Sequence, residues 1–306
     1  MPRFASIDIG TNSVLLLVAE RGAGGRFTAV LERAEITRLG RGVDKARTLA
    51  PEAMEDTLQV LERFAKEASA LGAEAIAATA TSAARDASNG AQFLRAIQQR
   101  TGITVEIIAG DEEARLSFSS AWADFGGKGP LVVLDIGGGS TEFIYASAAG
   151  AITFRRSFDV GSVRLTERFV TEDPPSAPER ATLSAHLDAT FAALPPAPEA
   201  ARLVGVAGTV TTLCAVARKI DPYDAAKVHG AALSAAELAA TVELLWSLPL
   251  AQRRALPGLQ PKRADVIPAG ALILDAAARR LRATEVLVSD RGLRWGLLAD
   301  RFGSSL

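Results

Sequence analysis

A single cysteine, Cys214, stands in the whole chain, so no intramolecular disulfide framework can staple the fold. Histidine is almost as scarce. His186 and His229 are too few for a histidine-rich metal site, and any metal must be held by oxygen ligands. No apolar run approaches the length of a membrane-spanning helix, because the longest candidates are broken by Gly, Thr or charge. Neither sign of charge is in excess, with 34 basic against 35 acidic residues. That balance removes the electrostatic reason to expect a nucleic acid or a membrane as partner. It leaves room for a small polyanion gripped by converging arginines. The opening Met1-Pro-Arg-Phe-Ala5 enters the first strand directly, which leaves no stretch for a signal peptide and makes the cytoplasm the expected location.

At 306 residues, 48% of them hydrophobic, the chain can bury a sizeable core and is expected to form two domains. Its most informative feature is an internal likeness. Phe4-Ala-Ser-Ile-Asp-Ile-Gly-Thr-Asn-Ser13 and Leu131-Val-Val-Leu-Asp-Ile-Gly-Gly-Gly-Ser140 each carry an apolar run to an aspartate, then a small Gly-containing turn. Apolar residues resume after each, over 14–19 and 143–146. Such a pattern predicts a β-hairpin whose tight turn brings backbone N–H groups close to a ligand. Two hairpins imply two phosphate loops. A third segment, Leu203-Val-Gly-Val-Ala-Gly-Thr-Val-Thr-Thr212, passes from a strand through Gly208 into a helix, a further place to hold phosphate on backbone donors.

Around these loops the pattern predicts strands at 3–9, 14–20, 26–38, 74–79 and 103–108, with helices at 51–71, 90–101 and 111–124. Phe125-Gly-Gly-Lys-Gly-Pro130 then breaks the chain, so the expected boundary lies between residues 125 and 126. The second half restarts with strands at 131–135, 141–146 and 151–158, and a short helix at 161–169. A helix at 178–193, a strand at 202–206, Ala-rich helices to 282 and a strand at 285–288 complete the domain of residues 126–290. The last helix, 291–306, is expected to return to the first domain. The separation of the two aspartates far exceeds a solenoid period, which favours duplicated domains with a ligand cleft between them.

Asp8 and Asp135 each end an apolar strand just before a glycine loop. A carboxylate there can face a phosphate only through a cation, and a hard divalent ion such as Mg²⁺ suits that place, with Mn²⁺ as the alternative. Glu142 adds a third acid near the second loop. For one isolated Asp-x-Gly, turn capping would be the better explanation, but the duplication favours the metal. Gly10, Thr11, Asn12 and Ser13 in the first loop, and Gly137, Gly138, Gly139, Ser140 and Thr141 in the second, supply backbone donors and hydroxyls. Gly208 and Thr209 extend the same chemistry to the third segment. Arg85 follows a predicted strand and offers a planar fork for phosphate oxygens, or else is a solvated loop residue. Asp111, Glu112 and Glu113 open a helix, where the macrodipole favours acids in any case. A carboxylate at that point could also deprotonate a water attacking phosphorus, and composition does not choose between the two. His186 and His229 read as ordinary surface or packing residues, and Cys214, in an apolar helix, as core.

In this order the motifs resemble the exopolyphosphatase and guanosine pentaphosphate phosphohydrolase family. The resemblance covers nearly the whole chain, through Ser6–Ser13, Ala78-Thr-Ala-Thr-Ser82 with Arg85, Gly110-Asp-Glu-Glu-Ala114, Asp135–Glu142, Asp159-Val-Gly-Ser-Val-Arg164, Gly205-Val-Ala-Gly-Thr209 and Arg263-Ala-Asp-Val-Ile267 with Ala269-Gly270. It implies an α/β fold of two actin-like, ribonuclease H-like domains facing an interdomain cleft. It further implies Mg²⁺-dependent hydrolysis of a terminal phosphoanhydride, with Glu113 activating water and Glu112 as second choice. Asp135 and Glu142 would hold the metal with Asp8 near it, while the loops and Arg85 hold phosphates. The expected partners are inorganic polyphosphate or guanosine pentaphosphate, with a homodimer allowed. The chain departs from the long family members by ending at 306 without their additional C-terminal helical domains, which puts in doubt any property those domains confer, processive handling of long polyphosphate included. An actin-like sugar or acid kinase and a binding regulator without turnover are the competing readings.

Overall fold

A computed structural model describes residues 1–303 and divides the chain into two units, Met1–Ser120 with Gly292–Leu306, and Ala121–Arg291. Ser304–Leu306, the tail of the expected last helix, lie outside the described residues. The first unit is built on a five-stranded sheet. Strands β1 (Arg3–Ile9), β2 (Ser13–Arg21) and β3 (Phe27–Ile36) form an antiparallel meander, and β4 (Ala73–Ala80) and β5 (Val105–Ile107) add to β1 in parallel, giving the order β3-β2-β1-β4-β5. The helix Pro51–Ala70 starts with proline in its first turn and buries Thr57, Leu58, Leu61, Phe64 and Ala68. That spacing of three and four residues places them on one face, so the helix packs on the sheet through Leu16, Val18 and Ile7. The helix Leu293–Phe302 also belongs to this unit. Phe4, Leu17, Trp295 and Leu298 form a small core there, and Ser6 Oγ donates to the Arg294 carbonyl at 2.7 Å.

The second unit repeats the plan. Strands β6 (Leu131–Ile136), β7 (Thr141–Ala146) and β8 (Ile152–Phe158) form the meander, β9 (Arg202–Val206) adds to β6 in parallel, and β11 (Glu285–Val288) adds to β9 in parallel. A three-residue strand, β10 (Ala232–Ser234), closes the far edge antiparallel to β11 and has no counterpart in the first sheet. Every residue of β6 and β7 is buried, which explains the apolar runs Leu131–Leu134 and Phe143–Ala146. The helix Ile267–Arg280 is buried along most of its length. Its alanines and Gly270 permit that depth; a methyl group on Gly270 would fall 2.7 Å from Thr209 Cγ2. The chain thus has the two-domain actin-like α/β fold, each sheet running from antiparallel meander to parallel strands in the same order.

The change of unit falls between Ser120 and Ala121, inside the helix Gly110–Phe125, rather than in the glycine run after it. The glycines do end the helix: Gly126 N–H donates to the Trp122 carbonyl at 2.8 Å and Gly127 adopts a φ of 75°. The last turn nevertheless belongs to the second unit because Trp122 packs on Gly126 and Gly150 there. Among the described residues no helix is long and apolar enough to cross a membrane.

Candidate active site

Ligands of open α/β sheets gather beyond the C-terminal ends of the parallel strands. In the first unit β1 runs into the turn at Gly10–Ser13, β4 into a short helix, Ser82–Asp86, and β5 into the helix Gly110–Phe125. Thr81 N–H donates to the Ile9 carbonyl at 3.2 Å and Ile108 N–H to the Ala80 carbonyl at 3.1 Å, lacing these three ends together. In the second unit β6 runs into Gly137–Ser140, β9 into the helix Ala207–Arg218, and β11 into Ser289–Arg291. The expected site residues therefore lie at equivalent strand ends of the two units.

The two hairpin turns close alike. Gly10 N–H donates to the Ser13 carbonyl at 2.9 Å, and Gly137 N–H to the Ser140 carbonyl at 3.0 Å. Each turn is also braced from behind through its carbonyls. The Thr11 carbonyl accepts from Gly40 N–H at 2.8 Å, and the Asn12 carbonyl accepts from Thr37 and Arg38 N–H at 3.1 and 3.0 Å. In the second unit the Gly137 carbonyl accepts from Ser162 N–H, and the Gly138 carbonyl from Val163 and Arg164 N–H. Carbonyl and N–H of a trans peptide point in opposite directions, so occupied carbonyls turn the N–H groups outward. Asn12 adds a side chain only 6% exposed whose Oδ1 and Nδ2 both have no hydrogen-bond partner. A buried amide in that state is costly unless a ligand or water meets it.

Asp135 and Glu142 are directly paired across β6 and β7, so both carboxylates stand on one face of the sheet. Asp135 is buried and Glu142 fully so, with Ser157 Oγ donating to Glu142 Oε1 at 2.6 Å. Like charges opposed across strands destabilise a sheet, and two buried oxygen donors side by side suit a hard divalent cation. The pair fits Mg²⁺ on that ground. Asp8, the third residue expected near the metal, lies in the first unit opposite Leu15 rather than another acid. Among the described residues no three His, Cys, Asp or Glu side chains converge as a metal cluster. Thr141, expected to hold phosphate, is fully buried, and its hydroxyl donates to the Val160 carbonyl at 2.6 Å. That hydroxyl serves the brace behind the loop.

The structure separates the two helix-opening glutamates. Glu112 is held by Arg115, whose Nε and Nη2 donate to its two oxygens at 2.9 and 2.7 Å, and Arg115 also reaches Asp300. Glu113 is 8% exposed, and Arg85 Nη1 donates to its Oε2 at 3.3 Å. The same nitrogen donates to the Ile108 carbonyl at 2.9 Å, so the guanidinium is held between a strand end and the carboxylate. Arg85 is thereby no solvated loop residue. Its short helix was not apparent from the sequence, because five residues are too few to show a period.

Beyond β9, Ala207 adopts a φ of 70°, an uncommon conformation for a residue with a Cβ, and the helix begins at once. Gly208 and Thr209 lie in its first turn, as expected, with Thr212 Oγ1 donating to the Gly208 carbonyl at 2.6 Å. Gly208 lies against the Arg263 guanidinium: a methyl group there would fall 2.4 Å from Arg263 Nη1 and push that side chain aside. Arg263 is a functional candidate to which the sequence attached no role, although it stands in one of the quoted motifs. Burial pushes the Cys214 thiol up and the His186 imidazole down, so neither is primed as nucleophile or cation.

The chain is similar to known proteins over nearly its whole length. A model of the Ppx/GppA phosphatase family matches residues 17–305. Exopolyphosphatase 2 of Mycobacterium tuberculosis is 40% identical over 296 residues, covering 92% of each chain. Exopolyphosphatase 1 of Mycobacterium bovis is 29% identical, over 99% of this chain and 89% of its own. Among solved structures, the Ppx/GppA enzyme of Aquifex aeolicus superposes with a TM-score of 0.82 at 33% identity, covering 98% of this chain and 99% of that one. An exopolyphosphatase of Cytophaga hutchinsonii superposes with a TM-score of 0.88 at 25% identity, covering 99% and 100%.

Proposed function

The chain belongs to the Ppx/GppA phosphatase family and is a phosphoanhydride hydrolase, and from that premise we propose that it is an exopolyphosphatase, releasing the terminal phosphate of inorganic polyphosphate. The observation that carries this reading is the buried Glu113 carboxylate held by Arg85 at the end of β5. Glu113 accepts a proton from water as the water oxygen attacks the terminal phosphorus. The bond from that phosphorus to the bridging oxygen breaks, and the products are orthophosphate and a chain one unit shorter. Arg85 orients Glu113 and places N–H donors beside it for phosphate oxygens. The outward N–H groups of the turns at Gly10–Ser13 and Gly137–Ser140, with the Asn12 amide, bind further phosphates. Asp135 and Glu142 would hold Mg²⁺, which when bound neutralises charge on the phosphate oxygens.

Identity to an exopolyphosphatase favours polyphosphate over guanosine pentaphosphate, the other substrate implied by the family motifs. The test is phosphate release from each, side by side, with and without Mg²⁺, and with water as the sole acceptor. Faster turnover of polyphosphate is expected. Release only from guanosine pentaphosphate would transfer the assignment to that substrate. Consumption of ATP only with an added hydroxyl acceptor would make the protein a kinase, and binding without release would make it a regulator.

A further inference from the structure

The brace behind the second loop is more complete than a turn requires. Ser162, Val163 and Arg164 begin the helix Ser162–Phe169, whose first N–H groups would ordinarily await a cap or an anion. Here they are spent on the loop: Ser162 N–H reaches the Gly137 carbonyl at 3.0 Å, and Val163 and Arg164 N–H reach the Gly138 carbonyl at 2.9 and 3.1 Å. The remaining carbonyl, that of Gly139, accepts from the Arg164 side chain, with Nε at 2.6 Å. Arg164 is 6% exposed, an uncommon depth for a guanidinium. Gly161 permits the close approach, because a methyl group there would fall 2.4 Å from the Gly138 carbonyl carbon and oxygen.

Each of these carbonyls shares a peptide plane with the N–H of the next residue, so the occupied oxygens of Gly137, Gly138 and Gly139 belong with the N–H groups of Gly138, Gly139 and Ser140. None of those three N–H groups donates to another described residue. We infer that Arg164 is a positioning residue for phosphate binding: its Nε–H fixes the Gly139–Ser140 peptide so that the Ser140 N–H faces the anion, and its charge strengthens that donor. A cationic donor on the carbonyl oxygen draws electron density through the peptide and polarises the N–H at its other end. Three consecutive N–H groups aimed one way form an anion-binding concavity, and Arg164 completes it without touching the substrate. The inference rests on the reading of this loop as a phosphate loop, given above.

Arg164→Lys keeps the charge but cannot present a planar Nε–H at the same place. The expected result is a rise in KM for polyphosphate of about 10-fold, with kcat changed less than about 3-fold and an unchanged melting temperature. A fall in kcat alone, or unaltered kinetics in the folded variant, would overturn the role. If the variant does not fold, the wild type still decides the matter. Titrating tripolyphosphate into Gly- and Ser-labelled protein should move the amide resonances of Gly138, Gly139 and Ser140 downfield, and their failure to move while the protein binds the probe would refute it. Shifted amides in a protein that releases no phosphate from polyphosphate would sink the exopolyphosphatase reading while leaving Arg164 in place.

Discussion

Replacing Glu113 with glutamine exchanges one carboxylate oxygen for an amide nitrogen and removes the capacity to take a proton, with almost no change in shape. Arg85 retains its bond to the Ile108 carbonyl at 2.9 Å, and the amide oxygen can accept the second bond now made at 3.3 Å. The pairing with Arg85 is kept in weaker form, so its share of the stability cost should be about 1 kcal/mol, one modest charge-assisted hydrogen bond. The cost to chemistry is larger. A lost general base lowers turnover by about 10²-fold or more, equivalent to roughly 2.7 kcal/mol of barrier. Steady-state phosphate release from polyphosphate, with thermal melting as the folding control, would measure both. Glu112→Gln is the internal comparison, because Glu112 is already engaged by Arg115 at the surface and should keep near wild-type kcat. A folded Glu113→Gln protein with a near-normal rate, beside a slow Glu112→Gln protein, would refute the assignment of the base.

Arg85→Lys should lower kcat/KM about 10-fold, since a lysine cannot span the Ile108 carbonyl and the Glu113 carboxylate together; unchanged efficiency in a folded variant would remove Arg85 from the site. Chelation of divalent cations should abolish phosphate release and added Mg²⁺ or Mn²⁺ restore it, because Asp135 and Glu142 would otherwise face phosphate charge; full activity in chelator would exclude the metal. A pH effect on stability is expected at Glu179, which completes the capping box of the helix Ala177–Phe191. Burial pushes its carboxyl up, but donors from Ser176, Thr171 and Glu172 outweigh that and hold it at about 2. The charged form is favoured by folding, so its contribution is present above about pH 4.5 and lost as the pH falls toward 2. Glu179→Gln should therefore melt below the wild type near neutrality and converge with it in acid, and a gap that persists in acid would contradict this origin.

Local pattern alone determined the two hairpins. Runs such as Leu131–Leu134 are apolar at every position because both faces are buried, and a turn of small residues reverses the chain within four residues. The helix Pro51–Ala70 was legible from the proline at its start and its broad buried stripe, and Gly90–Thr101 from Phe93 and Ile97 four residues apart and the glycine that follows it. Strand β10 was not, since three residues carry no period and its pairing depends on β11 more than fifty residues later. Glycines mark where the helix ends, whereas the contact of Trp122 with Gly150, which ties the last turn to the second unit, joins residues 28 apart.

Residue types named the chemistry of the site, and the tertiary structure decided who does what. Two adjacent glutamates are indistinguishable by composition, but one helical step turns Glu112 toward Arg115 and Glu113 toward Arg85, which is 28 residues away. The Thr141 hydroxyl donates to the Val160 carbonyl, a partner nineteen residues away that composition does not reveal. Arg164 stands 25 residues from the carbonyl it holds, and Arg263 meets Gly208 from a different helix–loop segment altogether. Such pairings depend on strand order and on the crossing of helices over the sheet. Hydrophobic period and turn chemistry act over a few neighbouring residues, so they build the loops but cannot specify which distant arginine will brace them.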